Sequence, residues 1–197
     1  MKKRIAIIKR KTNEVDISVK LNIDGTGKSE IDTGFKSLDH MLTLFCFHGF
    51  FDLKLSAKGD LQHHIVEDIG ITLGEAFKKA IGEAKGIKRF GYSTMPMDEI
   101  LVSTAIDLSG RPFLKFNIPA ISENLDLKAH DFKTFLESFV SHNKLALHIT
   151  YAEDLGSSDT HHFIEAVFKS LALSLSMAIS IDSRRKEVPS TKGVLDL

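Results

Sequence analysis

Hydrophobic and polar residues follow two different periods along this chain. Apolar side chains alternate with polar ones through residues 14–24, and this pattern predicts a strand with one buried face. Elsewhere apolar residues recur every three or four positions, which is typical of a helix packed on a core. Strands are predicted at 14–24, 29–33, 52–57, 100–108, 112–118 and 145–151. Helices are predicted at 38–51, 63–84, 132–141 and 161–181.

The order strand, strand, helix, strand, helix occurs twice, which indicates an internal repeat. One register superimposes two copies of the pattern His-His-x-x-Glu, formed by His63, His64 and Glu67 in the first half and by His161, His162 and Glu165 in the second. Shared helical periodicity explains matched apolar residues, but it does not explain two such sets at equivalent places. We therefore predict an α+β fold in one domain built from a duplicated unit, with halves at about 1–92 and 93–197, each a sheet packed on helices.

Composition narrows the classes of protein to which the chain can belong. With 43% hydrophobic and 26% charged residues among 197, it has the composition of a globular protein. Its 26 basic and 26 acidic residues cancel, which argues against nucleic-acid binding. One cysteine, Cys46, excludes an internal disulfide framework and a cysteine-based zinc site. We expect a cytoplasmic protein with neither a membrane span, which would need an apolar run of roughly 18 residues, nor a secretory segment.

The two His-His-x-x-Glu sets have the geometry of metal-binding half-sites. On a helix, residues four apart such as His63 and Glu67 project from one face, where an imidazole and a carboxylate can share an ion. The adjacent histidine points about 100° around the helix and cannot easily reach the same ion. Two sets therefore suggest two ions, each completed by the other half of the chain or by a neighbouring subunit. Nitrogen and oxygen ligands without thiolate suit Mn²⁺, Fe²⁺, Co²⁺, Ni²⁺ or Zn²⁺.

Other polar residues carry weaker signals. Arg89, Arg111 and Lys192 are of the types that bind phosphate, but each stands alone in a neutral chain, where surface charge is a simpler explanation. Glu14 and Asp98 could serve as acid or base groups, although nothing in their spacing distinguishes them. Four further histidines are interpreted as ordinary polar residues: His48, His130, His142 and His148.

Six short motifs occur along the chain in a fixed order. They are Leu38-Asp39-His40-Met41-Leu42, His63-His64-Ile65-Val66-Glu67-Asp68, Pro96-Met97-Asp98-Glu99, Asp107-Leu108-Ser109-Gly110-Arg111-Pro112, His161-His162-x-x-Glu165-Ala166-x-Phe168-Lys169 and Pro189-Ser190-Thr191-Lys192-Gly193. Several of these motifs have no common structural cause, so the ordered set is specific. It covers nearly the whole chain and resembles the imidazoleglycerol-phosphate dehydratase family.

The resemblance implies a lyase of histidine biosynthesis that converts imidazole glycerol phosphate to imidazole acetol phosphate and water. It also implies a duplicated unit like the second domain of ribosomal protein S5, two manganese ions per active site, and a 24-subunit shell in which ligands come from different subunits. The implied metal ligands are His40, His63, His64, Glu67, His161, His162 and Glu165. The implied phosphate-binding residues are Arg89, Arg111, Ser190 and Lys192, and the implied proton-transfer residues are Glu14 and Asp98.

The chain departs from the family pattern at the repeat partner of His40. A second register, which superimposes Phe45 on Phe139, places Thr134 where some members have histidine. One ion would then lack a protein ligand unless His130, a neighbouring subunit or water supplies it.

Two other functions are considered beside the dehydratase. A non-catalytic shell could use the ions only to join subunits, and it would need no phosphate-binding residue such as Arg111. An RNA-binding module is a third hypothesis, because the resembled fold also occurs in a ribosomal protein. Zero net charge, two tyrosines and no tryptophan disfavour it.

Overall fold

The computed structural model describes residues 3–117, 125–151 and 160–195. These residues form two successive units with the same order of elements: strand, strand, strand, helix, strand, helix. The first unit contains β1 (Ile5–Lys11), β2 (Val15–Asn22), β3 (Ser29–Asp32), α1 (Lys36–Gly49), β4 (Asp52–Gly59) and α2 (Gln62–Ile81). The second unit contains β5 (Phe90–Met97), β6 (Ile100–Asp107), β7 (Phe113–Lys115), α3 (Ala129–Asn143), β8 (Ala146–Tyr151) and α4 (Thr160–Ile179).

Each unit builds one four-stranded sheet, and the two sheets share a topology. The strand order is β1-β2-β4-β3 in the first sheet and β5-β6-β8-β7 in the second. In both sheets the last strand is parallel to its neighbour and the other pairs are antiparallel. The registers also correspond, because Ile5 faces Asn22 in one hairpin and Phe90 faces Asp107 in the other. The predicted α+β fold with a duplicated unit is confirmed.

The sequence pattern does not predict β1 and β5, which are edge strands at corresponding ends of the two sheets. In β1 the large residues Ile5 and Ile7 are exposed while the small Ala6 is buried, so the more hydrophobic residues are not the buried ones. β5 contains Gly91 and Pro96, two residue types that are unusual inside strands and tolerated at sheet edges. Alternation is therefore a poor guide at both edges.

The other predicted elements are found, with bounds that differ by at most three residues from the prediction. The exception is the strand predicted at 112–118, because β7 pairs with β8 over only 3 residues. Residue 118 lies outside the described residues. A short edge strand needs few apolar positions, so its length is weakly encoded in the sequence.

The helices of the two units pack crosswise in one core. α2 lies on the first sheet and α4 on the second, but α1 packs against α4 and α3 packs against α2. Phenylalanines from both units therefore meet, and the ring of Phe77 lies 5.8 Å from that of Phe45 and 5.7 Å from that of Phe139. Each unit needs the other to bury the apolar faces of its helices.

By length and composition α4 could cross a membrane, although it carries Glu165 and Lys169. In this fold, however, 72% of the most apolar 18-residue stretch of α4 is buried against other elements. Phe163, Phe168 and Leu175 are all fully buried side chains of this helix. Burial of this kind is typical of a helix at the centre of a folded domain.

α2 and α3 approach each other so closely that side chains at two glycines would collide with the facing helix. A Cβ on Gly70 would lie 2.6 Å from the carbonyl oxygen of Phe135 and 2.8 Å from the Cβ of Ser138. A Cβ on Gly74 would lie 2.7 Å from the carbonyl oxygen of Phe139. These two glycines therefore set the distance between the helices.

We expect Gly70→Ala to lower the free energy of unfolding by about 1–3 kcal/mol, because α2 and α3 would have to move apart. Helix propensity alone predicts the opposite, a gain of about 1 kcal/mol, since alanine favours a helix more than glycine does. Urea unfolding of the two proteins, followed by circular dichroism, separates these outcomes. A variant at least as stable as the wild type would show that the helix contact is not limiting.

Candidate metal centre

Three side chains from α1 and α4 converge on one point. The Nε2 atom of His40 lies 2.7 Å from Oε1 of Glu165, and Nε2 of His161 lies 3.2 Å from the same oxygen. The two imidazole rings are stacked, with their centroids 5.3 Å apart. All three candidate ligand atoms lie within 4.8 Å of one another, so one divalent cation could contact each of them. We refer to these residues as the His40 cluster.

The position of His40 depends on polar contacts at the start of α1. The carboxylate of Asp126, which belongs to the second unit, accepts hydrogen bonds from the backbone N–H groups of Lys36 at 2.7 Å and Ser37 at 3.1 Å. These donors are in the first turn of the helix, where no intrahelical partner is available. Asp126 thus caps α1 from the other unit and fixes the direction in which His40 points.

Glu165 is nearly buried and keeps its negative charge. Its side chain is 9% exposed, and burial by itself raises the pKa of the carboxyl. The hydrogen bonds with Lys169, whose Nζ lies 2.7 Å from Oε2, and with His40 outweigh burial and lower that pKa to about 2. The carboxylate is therefore ionised at neutral pH, with Oε2 held by Lys169 and Oε1 turned towards the two histidines.

A second group of ligand atoms lies at the turn between β5 and β6. Asp98, Glu99 and His162 each offer one atom, and these atoms also lie within 4.8 Å of one another. Nδ1 of His162 is 3.4 Å from Oδ2 of Asp98. Asp98 has a φ of 49°, in the left-handed region, where the chain reverses between the two strands. The adjacent histidines of α4 therefore belong to different clusters. We refer to these residues as the Asp98 cluster.

The first unit places its own histidines in a related way. Nδ1 of His64 lies 2.8 Å from Oδ1 of Asp60 and 3.9 Å from Oε2 of Glu14, at the turn between β1 and β2. The hydrogen bond with Asp60 raises the pKa of His64 above its usual value. The ring of His63 lies beside that of His64, with centroids 4.2 Å apart. Glu14 occupies the position in its hairpin that Glu99 occupies in the other, so in both units the second histidine faces an acidic turn.

The structure does not gather three ligand atoms around His63 and Glu67. Within residues 3–117, 125–151 and 160–195, groups of three or more candidate ligands form only at the His40 and Asp98 clusters. Glu67 is exposed, and Thr134, the counterpart of His40, donates its hydroxyl to the carbonyl of His130 at 3.2 Å. On α2 a single chain therefore offers only a partial ligand set.

Arg89, one of the residues predicted to bind phosphate, already has a partner. Its Nε and Nη2 donate to the carboxylate of Asp107 at 2.7 and 3.1 Å, and its Nη1 donates to the carbonyl of Pro189 at 3.0 Å. Arg89 therefore tethers the segment that contains Ser190. The guanidinium joins the end of β6, through Asp107, to the segment around Pro189.

The other residues predicted to bind phosphate are less constrained. The hydroxyl of Ser190 accepts a hydrogen bond from the backbone N–H of Lys192 at 3.2 Å, which closes a local turn. Arg111 is exposed at the turn after β6, and its side chain makes no hydrogen bond or ion pair with any described residue. Arg89 and Ser190 are thus brought close together, whereas among the described residues no hydrogen bond or ion pair joins Arg111 to them.

Comparison with known proteins assigns this arrangement to a family. The model of the family described as imidazoleglycerol-phosphate dehydratase matches residues 33–175, a range that contains both ligand clusters. The chain belongs to the imidazoleglycerol-phosphate dehydratase family. It is therefore a hydro-lyase of histidine biosynthesis, in a family that acts on a small phosphate substrate.

Relatives in this dehydratase family match at least 90% of the chain. The imidazoleglycerol-phosphate dehydratase of Thermoanaerobacter pseudethanolicus is 50% identical over 196 residues, which cover 98% of this chain and 100% of that protein. The crystal structure of the Pyrococcus furiosus enzyme superimposes with a TM-score of 0.83 and 36% identity, over 95% of this chain and 100% of that one. The enzyme of Staphylococcus aureus gives a TM-score of 0.77 and 34% identity, over 90% and 99%. The fold and the family therefore agree.

Three polar residues of the candidate site in this dehydratase family member are not predicted by the sequence patterns. Lys169 follows Glu165 by one helical turn, so the spacing alone could have identified it. Glu99 is the repeat partner of Glu14, but that relation is hidden as long as β5 is not predicted. Asp60 reaches His64 through the loop before α2, and loops have no periodic signal.

The ionised Glu165 should stabilise the metal-free enzyme in a pH-dependent way. Its pKa is about 2 in the folded protein against an ordinary value of 4.5, so its contribution is full above about pH 5 and is lost as the pH falls from there towards 2. We expect Lys169→Met to lower the free energy of unfolding at about pH 6 by about 1–2 kcal/mol and to flatten its decrease in acid. Guanidinium unfolding of the chelator-treated protein at each pH measures both effects.

Lys133→Met is the matched control for this experiment. Nζ of Lys133 lies 3.7 Å from Oε1 of Glu137 on the next turn of α3, but both side chains are exposed, so the pair contributes little. We expect the free energy of unfolding of the control to equal that of the wild type at every pH. If the free energy of unfolding of Lys169→Met also changed with pH in parallel to that of the wild type, Lys169 would not be what keeps Glu165 ionised.

Proposed function

We propose that this chain dehydrates imidazole glycerol phosphate to imidazole acetol phosphate and water with two Mn²⁺ ions per active site. The observation that carries the proposal is the convergence of His40, His161 and Glu165, with ligand atoms within 4.8 Å of one another, in a member of the dehydratase family. A hydro-lyase removes a proton and expels a hydroxyl group, and metal-binding residues offer a means of stabilising the charge that develops.

The donor atoms of both clusters fit a divalent cation such as Mn²⁺. The His40 cluster offers two imidazole nitrogens and an ionised carboxylate, and the Asp98 cluster offers one imidazole and two carboxylates. Mixed nitrogen and oxygen ligands without thiolate suit this ion, which prefers about six ligands in an octahedral arrangement. With Asp98 reserved for proton transfer, the His40 cluster supplies three ligands and the Asp98 cluster supplies two, so the remaining positions are open to substrate, water or another subunit.

The proposed ligands come from both units of the fold. One ion would be held by His40, His161 and Glu165, and the second through His162. The set on α2, which is incomplete in the described part of one chain, would serve an active site shared with a neighbouring subunit: His63, His64 and Glu67. The chain is thus proposed to act as a homo-oligomer, for which the resemblance favours 24 subunits. When bound, the ions would lower the pKa of the imidazole ring of the substrate.

Glu14 and Asp98 are the proton-transfer groups in this proposal. Both lie at hairpin turns and are more than half exposed, and each faces a histidine, at 3.9 Å for Glu14 and His64 and 3.4 Å for Asp98 and His162. A carboxylate beside an imidazole can hold or pass a proton. One group would take the proton that the substrate loses, and the other would give a proton to the departing hydroxyl, which leaves as water.

The phosphate of the substrate would be bound at the other end of the site, by Arg89, Arg111, Ser190 and Lys192. Because Arg89 already pairs with Asp107, its main contribution would be to hold the segment that carries Ser190. Arg111 would supply a guanidinium that has no other partner among the described residues. Anchoring the charged end of a small substrate orients its reacting end, which is a large source of rate.

The chemistry of the substrate also bears on where the enzyme works. A phosphate ester is charged at neutral pH, and a lipid bilayer strongly resists the passage of a charged group. We therefore infer a cytoplasmic enzyme that acts on a small phosphorylated molecule and has no nucleic-acid or membrane partner.

Loss of the central carboxylate should remove both metal and activity. We expect Glu165→Gln to lower kcat by at least about 100-fold and to lower the Mn²⁺ bound per chain, because an amide is a poorer ligand than a carboxylate. Detection of the ketone product and elemental analysis of dialysed protein measure the two effects. His142→Ala is the control, since His142 donates to the carbonyl of Ser138 and lies in neither cluster. Full turnover and wild-type metal content in Glu165→Gln would refute the assignment.

Substitution of Arg111 should distinguish an enzyme from a non-catalytic shell. Arg111→Ala should raise KM for imidazole glycerol phosphate by about 10- to 100-fold with a smaller change in kcat, because a charge-assisted hydrogen bond to phosphate is lost. Steady-state kinetics measure the change, with metal content and oligomer mass as controls. Unchanged kinetics together with metal-dependent assembly would favour a protein in which the ions only join subunits.

A further inference from the structure

Arg4 and Arg89 stand at equivalent places in the repeat, one residue before β1 and one residue before β5. The two side chains also make the same kinds of contact. Nε and Nη2 of each guanidinium pair with one carboxylate, which is Asp24 for Arg4 and Asp107 for Arg89. Nη1 donates in each case to a backbone carbonyl at least 100 residues further along the chain. The repeat thus contains two versions of one ion pair.

The two pairs differ in what their third contact holds. Nη1 of Arg4 lies 2.8 Å from the carbonyl oxygen of Ile179, the last residue of α4, so this pair fixes the end of a helix. Nη1 of Arg89 lies 3.0 Å from the carbonyl oxygen of Pro189, next to Ser190. The segment that Arg89 holds therefore contains a residue proposed to bind the phosphate of the substrate.

The backbone of Arg89 adopts a conformation that favours glycine. Its φ is 73°, in the left-handed region, and the described residues with a positive φ do not include Arg4. Two backbone hydrogen bonds keep Arg89 there, because its N–H donates to the carbonyl of Ala178 at 2.8 Å and its carbonyl accepts from the N–H of Leu108 at 3.1 Å. Glycine would adopt this conformation without strain. Strained side-chain-bearing residues are concentrated at functional sites, which indicates that the guanidinium is needed at this position.

Asp107 also begins the turn that carries Arg111. The carbonyl of Asp107 accepts a hydrogen bond from the N–H of Ser109 at 2.8 Å, and the hydroxyl of Ser109 accepts one from the backbone N–H of Arg111 at 3.2 Å. Ser109 is buried, so the turn is fixed from inside the protein. The carboxylate of Asp107 therefore holds the side chain of Arg89, while its backbone belongs to the turn that presents Arg111.

The ion pair leaves part of the guanidinium of Arg89 available to an anion. Nη1 and Nη2 each bind one partner and each keep a second N–H, which makes no hydrogen bond with any described residue. The side chains of Arg89 and Asp107 are 16% and 27% exposed, so water and salt screen their charges less than on an open surface. A guanidinium already fixed in place loses little conformational entropy when it binds a further group.

We propose that Asp107 is a positioning residue for phosphate binding, which acts through Arg89 and through the turn that carries Arg111. The inference rests on the proposed function for the identity of the anion, and it adds a residue to which that proposal gives no role. A carboxylate beside an arginine could have the opposite effect, because its negative charge repels phosphate. Removal of the charge separates the two effects, since positioning predicts weaker phosphate binding and repulsion predicts tighter binding.

Asp107→Asn tests the inference, because an amide keeps the shape of the side chain and removes the charge that fixes Arg89. We expect the Kd of inorganic phosphate to rise at least about fivefold, as measured by titration calorimetry on the dialysed, Mn²⁺-loaded enzyme. KM for imidazole glycerol phosphate should rise by a similar factor, while kcat changes by less than about threefold. This split is expected because Asp107 lies in neither ligand cluster.

Asp24→Asn is the matched control. It breaks the equivalent ion pair with Arg4, whose contact with Ile179 lies at the same end of α4 as the backbone contact of Arg89. The control therefore removes one negative charge from a similar place and leaves the same type of guanidinium without its carboxylate. We expect both variants to have a lower melting temperature than the wild type, but only Asp107→Asn to have a higher Kd for phosphate.

The inference is wrong if Asp107→Asn binds phosphate as tightly as the wild type or more tightly, or if the Kd rises equally in both variants. Hydrogen exchange of the wild type covers the case in which Asp107→Asn does not fold. Added inorganic phosphate should slow the exchange of residues 107–111 and 188–193 together and leave the residues around Asp24 unchanged. Exchange at 107–111 that does not respond to phosphate contradicts the inference.

Turnover of the same samples separates this inference from the proposed function. An active wild type, with neither Kd nor KM changed in Asp107→Asn, would keep the function and lose the positioning role. A wild type that binds phosphate but forms no ketone product, with weaker phosphate binding in Asp107→Asn, would lose the function and keep the positioning role.

Discussion

The crosswise contact of α1 with α4 is the interaction on which the candidate site depends. His40 comes from the first unit and Glu165 from the second, and they meet because α1 packs on the long helix of the other unit. Asp126 adds a second link between the two units, because it belongs to the second unit and caps α1 of the first. The driving force is apolar, since phenylalanines of both units fill one interior, so the polar site is a consequence of how the core is shared.

Duplication doubles the helices that carry ligands, but it does not produce two equivalent sites. Lys169 holds one oxygen of Glu165 at 2.7 Å, whereas the counterpart of Lys169 beside Glu67 is Ile71, which has no polar group to donate. The α4 set is therefore organised within a single chain. The α2 set offers exposed groups that need further ligands from elsewhere. In the oligomer proposed above, a neighbouring subunit would complete the α2 set.

Much of the fold and part of the site can be predicted from local patterns. Alternation predicts β2, and the spacing of His161 and Glu165 predicts that they share a helix face, as their 3.2 Å separation confirms. The periodicity of apolar residues along the chain cannot predict that His40 lies beside His161 and Glu165, or that Asp126 caps α1. These contacts link residues far apart in sequence. The edge strands β1 and β5 escaped prediction because Ile5 and Ile7 point away from the core and because Gly91 and Pro96 interrupt the apolar pattern of β5.

The alternate residues of one strand can therefore carry two independent kinds of information. On β6, the inward residues Ile100, Val102 and Ile106 are buried in the core as their counterparts on β2 are, so the folding requirement is the same in both units. The outward residues Leu101 and Ala105 are free of that requirement. Their counterparts on β2 are the charged residues Asp16 and Lys20, so the two units share the inward pattern and differ in the outward one.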